Sequence, residues 1–294
     1  MAPSLPAGES LKVILITGAS SGIGKACAEH LASRGYRVFG TCRGPADSQP
    51  APDNPDNPDN PDNPDNPDNM EMLSMNVDDD GSVRDAIGNL LEKVGRVDGV
   101  INNAGFALMG SVEDTSIEEA KAQMETNFFG VLRVCRAVLP IMRKQGSGHI
   151  INISSLAGVL GLPFSGLYSA SKFALEGMTE SLRLELRPFG VRVVLIEPGD
   201  FNTQLPARRR VAGGSEKNDA YQKKFSQFKA AQEKDESKAP SPEPVACLVE
   251  QILRTGAPPL RYTVGMFGQR IVVPLKRLLP QRLFEWTLCK VLGL

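Results

Sequence analysis

Four consecutive aliphatic residues, Val13-Ile14-Leu15-Ile16, run straight into Thr17-Gly18-Ala19-Ser20-Ser21-Gly22-Ile23-Gly24, and this junction limits the fold more tightly than any other stretch. A strand that is apolar on both faces belongs inside a parallel sheet with helices on either side. Past the glycines, Ala26, Cys27, His30 and Leu31 recur at helical spacing as far as Arg34-Gly35, where Gly35 suits a C-cap. The order is therefore strand, glycine turn, helix. Gly18, Gly22 and Gly24 have separate jobs in such a turn: a sharp bend, close approach of backbone to a pyrophosphate, and close packing of helix on strand. The helix start, with Ser20, Ser21 and Ile23 in the turn, offers N–H groups and a positive dipole end to phosphate. The spacing is G-x-x-x-G-x-G rather than G-x-G-x-x-G.

The second strand, Arg37 to Cys42, ends at Arg43. An acid about 20 residues after the glycines would bind the ribose 2′-hydroxyl of NAD. Arg43 instead suits the 2′-phosphate of NADP, so NADP(H) is expected in preference to NAD(H); the plain alternative is a solvated strand end. Pro-Asp-Asn then repeats six times, from Pro52 to Asn69. With no apolar residue it cannot bury a core, and 46–69 is expected to be a disordered insertion before strand three. Calcium binding there would want a glycine turn and a bidentate glutamate, which the repeat lacks.

Further strands are expected at Met72–Val77, Val97–Ile101, Ile150–Ile153, Val191–Ile196 and Arg261–Val264. Helices are expected over 82–95, 117–145, 166–187 and from Pro244 to Arg254. This alternation predicts an α/β fold: a Rossmann-like, doubly wound parallel sheet of about seven strands with helices on both faces. Ligands in such sheets bind beyond the carboxyl ends of the strands. Gly18, Arg43, Asn103, Ser155 and Pro198 all follow strand ends, so one cleft collects them.

Tyr168 and Lys172 are four apart and share one face of the 166–187 helix. A tyrosine titrates near ~10 and is a poor acid or base at neutrality. A neighbouring ammonium favours the phenolate, so Lys172 is expected to lower the pKa of Tyr168 and fit it for acid–base chemistry on a hydroxyl or carbonyl. Ser155, at the end of an apolar strand, would bring a hydroxyl to the same substrate oxygen. Asn127, between a helical apolar face and Phe128-Phe129, is expected to make buried hydrogen bonds.

Taken together, Thr17-Gly-x-x-x-Gly22-x-Gly24, Asn102-Asn103-Ala104-Gly105, Asn127, Ser155, Tyr168-x-x-x-Lys172 and Pro198-Gly199 resemble the short-chain dehydrogenase/reductase family, in its order and spacing, from Lys12 to about Thr203. The resemblance implies a catalytic tetrad of Asn127, Ser155, Tyr168 and Lys172. Tyr168 would be the general acid in reduction and the base in oxidation. Lys172 would hold the nicotinamide ribose, Ser155 would polarise the substrate oxygen, and Asn127 would bind a water linking Lys172 to solvent. Asn103, Ala104 and Gly105 would line the adenine and ribose side, and Thr203 would meet the carboxamide beside Pro198 and Gly199. Where many members carry Asp to meet the adenine amino group, this chain has Asn76, next to Val77. Arg43 and the long C-terminal extension are most similar to hydroxysteroid and retinol dehydrogenase-like members. The implied activity is interconversion of a secondary alcohol and a ketone or aldehyde on a small or lipophilic substrate. A non-catalytic NADP(H)-binding regulator is the alternative, which has no need of the tyrosine.

The remainder reads as one domain, 1–294, with a substrate-loop segment over 201–240 and an apolar, basic extension over 265–294. Within 201–240, Arg208-Arg209-Arg210 and a Lys/Gln/Glu-rich run read as solvated charge on a segment that closes over substrate. In the extension, Pro274 and Pro280 are expected to break the chain into short helices, and peripheral membrane contact is one reading of its basic, apolar character. A net charge of −1 gives no argument for nucleic acid. Five cysteines without paired spacing read as free thiols in the cytoplasm, and two distant histidines suggest no metal site. Met1–Lys12 lacks the apolar core of a signal peptide. A homo-oligomer is expected.

Overall fold

The computed structural model describes residues 11–44, 69–203 and 209–292. A seven-stranded, all-parallel sheet in the order β3-β2-β1-β4-β6-β7-β9 runs through the molecule. Its strands are β1 (Val13–Ile16), β2 (Arg37–Cys42), β3 (Met70–Ser74), β4 (Gly99–Asn102), β6 (Gly148–Ile153), β7 (Val191–Pro198) and β9 (Arg261–Val264). Two short parallel strands outside it, β5 (Ala107–Met109) and β8 (Arg209–Val211), pair with each other.

Successive side chains of a strand point to opposite faces, and the two cores follow that alternation. Val13 and Leu15 face one layer with Val100, Ile150 and Val193. Helices α2 (Asp80–Val94), α4 (Gly130–Gln145) and α5 (Gly166–Leu186) cover that layer. Ile14 and Ile16 face the other with Ile151, Val194 and Ile196, beneath α1 (Gly22–Ser33) and α7 (Glu243–Arg254). The doubly wound sheet is therefore as the sequence pattern predicts.

Four expectations are corrected. The third strand starts earlier and ends at Ser74, so Asn76 and Val77 lie in the turn beyond it. The 117–145 helix is three pieces: α3 (Ile117–Met124), a π turn over Glu125–Phe129, and α4. Pro274 does not break its helix; it lies inside α8 (Phe267–Leu278). Pro280 does end it, because the residue before a proline is forced extended, and Leu279 has φ −85° and ψ 142°. Helix α9 (Gln281–Leu292) follows. Finally, the charged 209–238 stretch is not merely solvated. It forms β8 and α6 (Asp219–Lys238), whose Phe225 and Phe228 are buried with Met109 in a small core of their own. The expected disorder of the repeat insertion lies outside the described residues up to position 68; Asn69 accepts the Val38 N–H at 2.8 Å as β3 begins.

Candidate active site

β6 delivers the chain to Ser154 and Ser155 at its carboxyl end. Ser155 caps a short turn, Leu156–Gly158, its Oγ accepting the Ala157 N–H at 3.1 Å. Helix α5 brings Tyr168 and Lys172 to the same place. The Ser155 hydroxyl lies near enough to the Tyr168 hydroxyl to favour its ionised form. Lys172 is buried, its Nζ donating to the Ile153 carbonyl at 2.8 Å and lying 5.9 Å from the centre of the Tyr168 ring. Strand end and helix face thus meet as the spacing predicts.

The electrostatics differ from expectation. Burial holds Tyr168 above the ordinary tyrosine value; the Ser155 hydroxyl and Arg209 pull it down, and Asp200 pushes it up. Desolvation of the phenolate therefore outweighs the help of Ser155 and Arg209. Burial acts on Lys172 in the opposite sense, lowering it to about 8 against the pull of Glu176 one turn on.

Asn127 lies in the π turn, a feature common at functional sites. Its amide donates to the Phe106 carbonyl at 3.0 Å and to Ser171 Oγ at 3.2 Å, and its Oδ1 accepts the Phe106 N–H at 3.1 Å. The buried hydrogen-bonding role expected of it is met in full.

The glycine turn is built as its spacing requires. Gly18 and Gly22 have φ of 66° and 59°, in the left-handed region that suits glycine. A Cβ on Gly24 would overlap the Gly18 carbonyl and the Asn103 amide. Asn103 donates from Nδ2 to the Thr17 and Gly18 carbonyls at 2.9 and 3.0 Å. Thr17 Oγ1 accepts the N–H groups of Asn103 and Ala104, both at 2.9 Å. Asn103 and Ala104 therefore brace the turn from β4. Ser20 is half-buried in the turn, and Ser21 occupies the helix N-cap without capping it through its side chain. Backbone held bare of Cβ at a helix N-terminus fits a dinucleotide phosphate.

Arg43 is exposed just past β2, and the carbonyl of Thr41 accepts the Ala19 N–H at 2.9 Å, so this strand end adjoins the glycine turn. Asn76 Oδ1 accepts the Asp78 N–H at 3.2 Å, and Val77 is buried against Gly130. Thr203 packs on Gly22.

A cleft of about 770 Å³ opens beyond the strand ends. Ser155, Tyr168, Lys172 and Asn127 line it together with Ile23, Asn103, Gly105, Pro198, Gly199 and Thr203. Gly18, Ser20, Ser21, Gly22, Gly24, Arg43, Asn76, Val77 and Ala104 are not part of its wall. Sequence reasoning missed Phe106, Phe201, Lys229 and Glu233, and it took Arg209 for solvated charge; all five line the cleft. The one available signal was Phe106 directly after the Asn-Asn-Ala-Gly run; Arg210 stacks over its ring at 4.2 Å. Among the described residues, no group of three His, Cys, Asp or Glu side chains is placed to hold a metal.

Comparison with known proteins gives the family and the fold. A family model described as short chain dehydrogenase matches residues 12–212. A 3-ketodihydrosphingosine reductase of Bacteroides thetaiotaomicron is 39% identical over 277 residues, covering 94% of this chain and 96% of its own. Estradiol 17-beta-dehydrogenase 1 of Rattus norvegicus is 36% identical over 272 residues, covering 90% and 76%. A solved short-chain dehydrogenase from Streptomyces avermitilis superposes with a TM-score of 0.79 at 34% identity, covering 95% and 97%.

Proposed function

Because the chain belongs to the short-chain dehydrogenase/reductase family and is an oxidoreductase of that type, we propose that it interconverts a secondary alcohol and a ketone on a lipophilic substrate, using NADP(H) in preference to NAD(H). The observation that carries this is the meeting of Ser155, Tyr168 and Lys172 at the wall of one cleft.

The glycine turn, braced by Asn103, would hold the cofactor pyrophosphate at the N-terminus of α1. Arg43 would take the 2′-phosphate, with Ser20 and Ser21 beside it. Asn76 and Val77 would face the adenine, and Pro198, Gly199 and Thr203 the carboxamide. Bound cofactor supplies or accepts a hydride. In reduction, Tyr168 gives its proton to the substrate oxygen as negative charge gathers there. Ser155 donates a hydrogen bond to the same oxygen. A phenol held above its ordinary pKa stays protonated at neutral pH, which suits a proton donor. Lys172 would hold the ribose and reprotonate Tyr168. Because the Asn127 amide is already engaged with Phe106 and Ser171, a water linking Lys172 to solvent would be held by main chain at the π turn.

The apolar substrate class is supported by Phe106, Phe201 and Val211 in the cleft wall, and by relatives whose names denote a keto-lipid and a steroid alcohol. We further propose peripheral membrane contact through 265–294. All five cysteines are free, which suits the reducing cytoplasm. We further propose a homo-oligomer, for which exposed Phe129 at the start of α4 and exposed Leu184 and Phe189 toward its far end are candidate contacts.

The test is NADPH consumption with long-chain 3-ketones and 17-ketosteroids, in wild type and Tyr168→Phe. The variant keeps the ring and loses only the hydroxyl. NADPH binding by fluorescence titration should survive, while turnover should fall ~10²–10⁴-fold. Turnover at the wild-type rate in Tyr168→Phe would sink the mechanism.

A further inference from the structure

Helix α8 clasps both loops that bound the cleft. On one side Lys276 Nζ donates to the Val159 carbonyl at 2.5 Å, just past the turn that carries Ser155, and lies 5.3 Å from the Phe173 ring centre on α5. On the other, Gln269 makes two hydrogen bonds to one residue. Its Oε1 accepts the Asp200 N–H at 3.2 Å, and its Nε2 donates to Asp200 Oδ2 at 2.6 Å. The approach is so close that a Cβ on Gly199 would overlap Gln269 Oε1. Gly265, at φ 151°, lets the chain turn from β9 onto this spot, where Gly199 N–H donates to the Val264 carbonyl at 2.8 Å.

Asp200 directly follows Gly199 of the cleft wall, and its charge reaches both Tyr168 and Arg209. We propose that Gln269 is a positioning residue: it fixes the Asp200 carboxylate behind the cleft-wall residues Gly199 and Phe201 and thereby sets the electrostatic field on the Tyr168 hydroxyl. This rests on the reading of Tyr168 as proton donor. On that reading the C-terminal extension completes the active site rather than merely covering it.

The groups around the phenol are Ser155 from the β6 loop, Lys172 on its own helix, Asp200 after β7, and Arg209 on β8. Lys229 and Glu233 of α6 line the same cleft. Asp200 opposes ionisation of Tyr168 both directly and by neutralising Arg209, so releasing the carboxylate favours the phenolate through both routes. Gln269→Met keeps the length and packing of the side chain and removes both hydrogen bonds.

The experiment reads the phenolate absorbance titration of Tyr168. The chain has four tyrosines, so each curve is taken as the difference from the same protein carrying Tyr168→Phe. The Tyr168 titration should move to lower pH in Gln269→Met and further in Asp200→Asn. The double variant should match Asp200→Asn alone, because Gln269 acts through that carboxylate. The alkaline limb of ketone reduction should move in the same direction. Should Gln269→Met fail to fold, Gln269→Asn, which withdraws the amide by one methylene, should give a smaller shift of the same sign. A lowered melting temperature with an unmoved titration would make Gln269 structural and overturn the proposal. A moved titration in a protein that turns over none of the ketones leaves Gln269 in place and overturns the proposed reaction instead.

Discussion

Lys172 carries a charge into a buried position at the cleft wall, and its pKa of about 8 records the cost of doing so. That cost is a statement about stability. Between about 8 and 10.5 the unfolded chain holds the lysine proton while the folded protein has released it. Stability then rises with pH, because the unfolded state binds more protons. A shift of this size is on the order of 3 kcal/mol. Tyr168, Cys27 and Cys135 are all raised by burial and act in the opposite sense at high pH, so the comparison must be with a variant lacking only the amine. Wild type should gain stability relative to Lys172→Met as pH rises from 8 to 10.5 and show no change in that difference below 8. Denaturant titrations at closely spaced pH values would show it; a flat difference across the window would mean that the amine is not desolvated. At the other end of the cofactor site, Arg43→Asp should cut the preference for NADP over NAD. A charge-assisted contact is worth ~1.5–3 kcal/mol, or roughly one to two powers of ten in relative affinity. Paired kcat/KM values for the two cofactors decide it, and an unchanged ratio would remove Arg43 from phosphate recognition.

β8 and α6 form a roof over the cleft that is joined to the body by several ties, among them Asn218 Nδ2 donating to Asp114 Oδ1 at 2.7 Å and Arg210 over the Phe106 ring. The β5–β8 pairing is one more. Another is Glu119, which closes a capping box with Ser116 on α3 and accepts the Gly213 N–H at 2.9 Å. Those hydrogen bonds hold the Glu119 carboxyl below the usual range, so this tie is complete above that range and is lost as pH falls through the lowered value. A further tie is the small core of Phe225, Phe228 and Met109, against which Phe164 packs. Phe228→Ala should cost ~3–5 kcal/mol locally. Because that core is separate from the two that flank the sheet, the loss should open the roof rather than the protein. Hydrogen exchange should quicken in 209–238, KM for the ketone should rise, and NADPH affinity and melting midpoint should barely move. A fall in the midpoint by the full amount would mean that the roof folds with the body. None of these ties was legible beforehand. The 209–238 stretch shows a run of charge with isolated phenylalanines, and its partners Met109 and Phe164 are far off in sequence. By contrast β1, α1 and α5 were readable, because a buried strand, a glycine turn and a four-residue repeat are local patterns. The ends of β3 were misplaced because Met70 to Val77 is apolar enough to extend the pattern past the true end, where Asn76 turns the chain by binding the Asp78 N–H.

Across the whole molecule, the sheet puts the predicted residues at its carboxyl edge, and the C-terminal extension reaches the loops beside the cleft through Gln269 and Lys276. Gln269 and Asp200, 69 positions apart, could not be paired from sequence. The charge and apolarity of this extension, however, were plain in it, and the fold shows where they point. Phe267, Ile271 and Leu278 recur on one face of α8 and are exposed; Leu283 and Trp286 are exposed on α9. Arg270, Arg282 and Lys290 are interspersed among them, with Lys290 over the Trp286 ring at 4.2 Å. No helix among the described residues is long and apolar enough to cross a membrane. An apolar face rimmed by cations fits instead the interface of an anionic bilayer, where aromatic residues seat at headgroup depth. Such contact would bring the cleft to the phase in which a lipophilic ketone is dissolved. The chain has a single tryptophan, so its emission reports on this face alone. On adding vesicles containing phosphatidylserine, Trp286 emission should shift to the blue and the protein should sediment with the lipid. Raising salt should reverse part of the binding, since each cation near the surface contributes about 1 kcal/mol that screening removes. Leu283→Ser with Trp286→Ser should abolish sedimentation and slow reduction of a long-chain ketone presented in vesicles, yet leave reduction of a short water-soluble ketone at the wild-type rate. If wild type ignores anionic vesicles, the exposed face serves another protein surface and the membrane reading of the extension falls.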